Sequence, residues 1–253
     1  MKDSTSRIIA IIIIAATGLL VGGLAVLRVT GRSGRHIDVD REEYPVWGVD
    51  LSAHNGRPDF DSIAYSGASF AYLKASEGTD FRDRAFIRNY AAGKLAGLPV
   101  GAYHFFRFDC DGYSQALNLL GAVAGCRLDL PLAIDIEESG NPAQVPTALI
   151  VERLRSMVES LQRAGYNVLI YTNKNGDARF VRSHFDDLDG GDPELWICSF
   201  TNPPINRRPW RLWQNSHIST VPGVVGNVDV NTFNGSREEW ARWLVEQRPS
   251  SAD

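Results

Sequence analysis

The chain has 253 residues, 44% of them hydrophobic and 10% aromatic, with 30 acidic against 26 basic side chains and a formal charge of −4. No basic run follows Arg41, so nothing is set out to bind a phosphate backbone, and nucleic acid is excluded as a partner. The composition is that of a chain able to fill one core of roughly 200 residues, and no solenoid repeat is visible.

The N-terminus is a different kind of sequence. Residues 8–27 carry no charged side chain, and a helix of that length spans ~30 Å, the thickness of a bilayer core. The run is longer than a usual cleaved signal core and no small-x-small site follows it. Residues 1–36 therefore read as a cytoplasmic tip and an uncleaved transmembrane signal anchor, 37–45 as a polar linker, 46–247 as the folded domain and 248–253 as a polar tail. Lys2 and Arg7 precede the apolar run, while Arg28, Arg32 and Arg35 follow it. By the positive-inside rule that count slightly favours a cytoplasmic C-terminal side.

From residue 46 apolar strand patterns alternate with helical ones. Strands are expected over 46–52, 70–75, 100–106, 132–137 and 167–172, with helices over 60–66, 83–95, 112–124 and 147–164 between them. After residue 172 the helical signal weakens to one or two turns over 178–185. Three further strands, 195–200, 211–215 and 228–233, are separated by loops rich in Pro, Asn and Gly. Ser236, with Glu239 three residues on, starts a last helix over 237–246 as a capping box. Eight strands mostly alternating with helices predict an α/β, TIM-like parallel barrel whose last strands lack full helices, preceded by the transmembrane helix. No Gly-x-Gly-x-x-Gly follows a strand, which argues against a dinucleotide fold.

In such barrels the active site lies at the carboxyl ends of the strands. The residues expected there are Asp50 and His54, Lys74 and Glu77, Tyr103 and His104, Asp135 and Glu137, Tyr171, Trp196, Trp213 and Gln214, and Asp229 and Asn231. Asp135 and Glu137 close an apolar strand, and i, i+2 side chains share a face roughly 7 Å apart. Close, buried carboxylates push their pKa values apart, leaving one acid protonated and one ionised, which is the equipment for glycoside hydrolysis. The plainer alternative is a strand running into an acidic loop. Three cysteines make no disulfide framework. Cys110 and Cys126 flank a helix whose ends stand ~18 Å apart, too far for a bridge. Cys198 reads as an inert core thiol, and no His or Cys cluster has metal-ligand spacing, so neither metal nor cofactor is expected.

Taken in order, these motifs resemble a known family. Trp47-Gly48-Val49-Asp50-Leu51-Ser52-Ala53-His54-Asn55-Gly56 resembles the opening strand of glycoside hydrolase family 25, the lysozymes of the Chalaropsis type. Lys74-Ala75-Ser76-Glu77-Gly78 and Gly101-Ala102-Tyr103-His104-Phe105 resemble its next two strands. Asp135-Ile136-Glu137 resembles its catalytic Asp-x-Glu, and Trp213-Gln214 and Val228-Asp229-Val230-Asn231 its last strands. Asn55 stands where Gln is common and Ser76 where Thr is common. The resemblance implies hydrolysis of the β-1,4 bond between N-acetylmuramic acid and N-acetylglucosamine in peptidoglycan. It implies Glu137 as general acid, Asp135 supporting the substrate's acetamido group or the charge developing at the anomeric carbon, and Asp50 and Asp229 tuning those ionisations. The other strand-end residues would bind substrate.

A peptidoglycan substrate places the domain outside the cytoplasm, against the arginine count, as a monomer anchored through residues 8–27. Release of the anchor from the bilayer, as in phage-type lysozymes, is the second expectation. The alternatives on the same scaffold are a catalytically inert peptidoglycan-binding module, which would have lost an acid, and a chitinase-like hydrolase, whose longer acidic signature is absent.

Overall fold

The computed structural model describes residues 37–205 and 209–247. The first half contains β1 (Trp47–Leu51), α1 (Phe60–Tyr65), β2 (Phe70–Glu77), β3 (Phe81–Arg82), α2 (Phe86–Leu95), β4 (Val100–Phe105) and α3 (Gly112–Ala122). The second contains β5 (Leu132–Asp135), α4 (Thr147–Arg163), β6 (Val168–Asn173), β7 (Glu194–Cys198), β8 (Leu212–Ser219), β9 (Val228–Phe233) and α5 (Arg237–Glu246). Apart from β3, which folds back on β2 as a short arm, the strands hydrogen-bond in a ring that the β1–β2 pairing closes. The result is a closed eight-stranded barrel. Neighbouring strands from β1 round to β8 are parallel, but β9 runs antiparallel to both β8 and β1.

That reversal corrects the expected all-parallel barrel. Only residues 220–227 link β8 to β9, and a parallel crossover needs a dozen residues or more, so the chain turns back as a hairpin. After β6 a single turn, Lys174–Gly176, runs into a π-helical turn, Asp177–Val181, where earlier strands are followed by full helices. Smaller shifts also have local causes. The helix expected from residue 83 starts at Phe86, because the Asp83 carboxylate accepts from the Ala85 N–H at 2.7 Å and holds the chain in a turn first. The capping box on α5 forms as expected, Ser236 Oγ accepting from Glu239 N–H and Glu239 Oε2 from Ser236 N–H.

Strand alternation sorts the apolar residues into two layers. Val49, Ala71, Leu73, Val100, Ala102, Ile134 and Ile170 face outward and pack under the helices. Tyr72, Ala133, Leu169, Trp196 and Leu212 fill the barrel, and Trp240 and Trp243 of α5 join Phe70 and Phe233 to plug its amino-terminal end. Gly101 makes the filling possible: a Cβ there would stand 2.4 Å from the Tyr72 ring. Where β7 and β8 lack helices, the chain supplies its own cover. Ile37, Val39 and Tyr44 pack with Trp210 on the outward side chains Leu195, Ile197 and Trp213, and Arg41 donates to Thr232 Oγ1 at 3.2 Å. The segment 37–45, expected as a linker, is in this respect part of the folded layer. Residues 8–27 lie outside the described residues; among those described, no helix is long and apolar enough to cross a membrane.

Candidate active site

At the carboxyl ends of the parallel strands opens a cleft of about 350 Å³ lined by acids, aromatics and one lysine. β5 ends at Asp135, one turn of the pleat short of the expected strand end, yet the alternation continues: Ile136 is buried in the outer layer, and Asp135 and Glu137 both face the cleft. The two carboxyl groups stand close enough for each to shift the other's ionisation. Oδ1 of Asp135 is buried with no hydrogen-bond partner. Burial raises the pKa of both groups, and the neighbouring Glu137 charge raises Asp135 further. Two buried acids this close resist giving up both protons.

Beneath the pair lies a connected floor. Asp50 Oδ2 accepts from Gln214 Nε2 at 3.1 Å and from Asn231 Nδ2 at 2.8 Å. Gln214 Oε1 in turn accepts from the Tyr171 hydroxyl at 2.8 Å, and Asn231 Oδ1 from Trp196 Nε1 at 2.9 Å. Asp229 is the register partner of Asp50 across β1 and β9, and both line the cleft. Burial, followed by the Asp50 charge, pushes the Asp229 carboxyl up to about 8. Asp229 sits near the start of β9; the reversed direction of that strand is what brings it to the same end as the carboxyl ends of the others. Burial foremost, helped by the surrounding acids, keeps the Tyr103 and Tyr171 phenols protonated.

Asp50, Lys74, Tyr103, Asp135, Glu137, Tyr171, Trp196, Gln214 and Asp229 thus line the cleft together. Four of the sequence-derived candidates do not. His104 alternates with Tyr103 on β4 and points outward under α3, fully buried, where its Nδ1 accepts from Ser76 Oγ at 2.8 Å and its Nε2 donates to Gln115 Oε1 at 3.1 Å. Burial lowers its pKa to about 4. Trp213 alternates with Gln214 and lies on the outer face beneath Val39, its Nε1 donating to the Ser199 carbonyl at 2.8 Å. Asn231 faces inward but is fully buried below the cleft as an Asp50 partner. Glu77 stands off the lining and accepts from Lys74 Nζ at 2.7 Å.

Sequence reasoning missed Ser52, Phe105, Phe200, His217 and the placement of Cys198, all on the lining; His54 was seen among the strand-end residues. Phe105 follows Tyr103 by two residues, so strand period alone points it inward. Cys198 lines the cleft from β7 while packing against the inner core, and burial pushes its thiol up to about 12, so it stays an unreactive neutral group. All three cysteines are free. Among the described residues no group of three His, Cys, Asp or Glu side chains is arranged to hold a metal ion.

Comparison with known proteins bears on what such a cleft does. The family model described as glycosyl hydrolases family 25 matches residues 49–224. Lysozyme M1 of Streptomyces globisporus is 32% identical over 203 residues, covering 76% of this chain and 68% of the relative. The N,O-diacetylmuramidase of Arthroderma benhamiae is 30% identical over 238 residues, covering 87% and 97%. The solved structure of a family 25 glycosyl hydrolase from Bacillus anthracis superposes with a TM-score of 0.74 at 28% identity, over 84% of this chain and 99% of that one.

Proposed function

The chain belongs to glycosyl hydrolases family 25, and from that premise we propose how its cleft divides the work of cutting the glycan. It is a muramidase, hydrolysing the β-1,4 bond between N-acetylmuramic acid and N-acetylglucosamine in peptidoglycan. Glu137 is the general acid and protonates the leaving glycosidic oxygen. The acetamido oxygen of the muramic acid attacks its own anomeric carbon as the glycosidic bond breaks, closing a cyclic oxazolinium. Asp135, as carboxylate, accepts from the acetamido N–H and balances the positive charge. Water then opens the ring at the anomeric carbon, giving its proton to the Glu137 carboxylate and restoring both groups.

The observation that carries this reading is the buried, partnerless Oδ1 of Asp135 in a cleft that Glu137 also lines. A buried acceptor without a donor is costly, and an acetamido N–H is a donor of the right kind. Its hydrogen bond would favour the ionised form of Asp135 and leave the proton on Glu137, where the reaction needs it. An intramolecular nucleophile already beside the anomeric carbon has a large proximity advantage over a side chain.

Digestion of purified peptidoglycan, with mass spectrometry of the new reducing ends, tests the reaction. N-acetylmuramic acid ends are expected; N-acetylglucosamine ends, or cleavage of peptide bonds alone, would overturn it. A trapped sugar ester on Asp135, with cleavage persisting on deacetylated glycan, would overturn the acetamido mechanism. The uncharged run 8–27 together with an extracytoplasmic substrate supports a membrane-anchored enzyme whose barrel faces the wall.

A further inference from the structure

The cleft has two walls of different chemistry. On the β2 and β4 side stand Phe105 and the Lys74 ammonium, 5.1 Å from the centre of the Phe105 ring. On the opposite side stand Phe200, just past β7, and His217 on β8, with ring centres 4.2 Å apart. Neither Phe200 nor His217 belongs to any of the three buried apolar clusters, and His217 is exposed. Their position follows from the fold. β8 pairs with β7 only from Leu212 to Gln214; beyond that it continues against β9 alone, through two bulges, and carries His217 above the barrel mouth. Phe200 is held from its neighbour Ser199, whose N–H donates to the Gln214 carbonyl at 3.1 Å and whose carbonyl accepts from Trp213 Nε1 at 2.8 Å. The Ser199 hydroxyl donates to the Asn202 carbonyl at 2.8 Å. An aromatic pair outside the core, on a pinned backbone and facing a saccharide cleft, is a stacking surface.

Which sugar it serves follows from the two acids. Asp135 pairs in register with Phe105, and Lys74 is the cation that acts on it. Glu137 lies two residues further out, and its charge acts on Cys198 of β7 and Asp229 of β9. A general acid must stand on the side of the leaving group and the acetamido support on the side of the sugar being attacked. The leaving sugar therefore extends toward β7 and β8. We infer that Phe200 and His217 form the binding platform for the leaving N-acetylglucosamine, the apolar C–H face of its ring lying on the Phe200 ring with the tilted His217 ring beside it, and so set the direction in which the glycan strand lies in the cleft. The inference rests on the muramidase reading with Glu137 as acid.

The two products of cleavage separate the two sides. A saccharide with a non-reducing N-acetylglucosamine end fits the leaving-sugar side, and one with a reducing N-acetylmuramic acid end fits the other. Inhibition of the full-length enzyme by each is measured for wild type, Phe200→Ala, His217→Ala and Phe200→Tyr. Each alanine variant is expected to weaken the N-acetylglucosamine-ended inhibitor by about tenfold and to leave the other within about twofold, with Phe200→Tyr close to wild type. No change, equal loss for both inhibitors, or loss confined to the muramic acid end would overturn the platform. The same wild-type preparation is assayed on peptidoglycan: absence of N-acetylmuramic acid reducing ends would defeat the muramidase reading itself, whereas their presence leaves the inhibitor pattern to judge the platform alone.

Discussion

Asp50 and Asp229 are register partners across the antiparallel β1–β9 pair, and both line the cleft, where the charge of Asp50 acts on the Asp229 carboxyl. Gln214 and Asn231 both donate to Oδ2 of Asp50, which favours keeping the charge on Asp50 and the proton on Asp229. The Asp229 carboxyl, raised to about 8 by burial and by Asp50, thus keeps a proton in the folded chain that the unfolded chain releases in the ordinary carboxylate range. The stability it contributes is complete below its ordinary value and is lost as pH rises through about 8. Asp229→Asn should make the fall of melting temperature between pH 4 and pH 8 visibly shallower. Parallel wild-type and variant curves would show that Asp229 ionises like an exposed acid.

Glu137→Gln keeps the shape of the side chain but has no proton to give. Turnover on peptidoglycan should fall by roughly 10² to 10⁴-fold, with an unchanged melting curve. A variant retaining more than about a tenth of wild-type turnover would move the general acid elsewhere, to Asp229 first.

His104 is a structural group, buried with its two ring nitrogens engaged by Ser76 and Gln115. Its neutral form is favoured on folding, so the stability it contributes is present above the ordinary histidine value and is lost as pH falls through about 4. His104→Ala should lower stability by about 2 to 4 kcal/mol, through an unsatisfied Ser76 hydroxyl and lost packing, while KM stays within a few-fold of wild type. A large rise in KM with little loss of stability would return His104 to the binding site.

The segment 37–45 covers Trp213, Leu195 and Ile197 where helices are missing. Removing it uncovers these side chains along with the lost burial of Val39, a change worth about 1.5 to 3 kcal/mol for each fully buried apolar side chain. A chain beginning at residue 46 should melt well below one beginning at residue 37, with new exposed apolar surface detectable by dye binding. Equal melting temperatures would make the segment a free tether after all.

The membrane reading predicts that the full chain sediments with membranes and that the barrel is cut by protease added to intact spheroplasts. Protection in sealed spheroplasts would favour the orientation given by counting arginines and would undercut the proposal that the barrel faces the wall.

Local chemistry is written in the sequence because it depends on neighbours along the chain. The period-2 apolar runs, the Ser236–Glu239 capping box and the Asp135–Ile136–Glu137 alternation each involve residues a few positions apart, and the barrel, the acid pair and most of the lining could be read from them. Strand period applied strictly would also have turned His104 and Trp213 outward, since Tyr103 and Gln214 beside them face in. Other features depend on contacts between residues far apart in the chain. The reversal of β9, the Tyr171–Gln214–Asp50–Asn231–Trp196 floor, the cover of 37–45 over Trp213 and the Phe200–His217 wall join segments that meet only when the barrel closes. Tertiary structure decided these, because a short β8–β9 connection permits only an antiparallel return and because a helix-less outer face must be buried by whatever chain lies within reach.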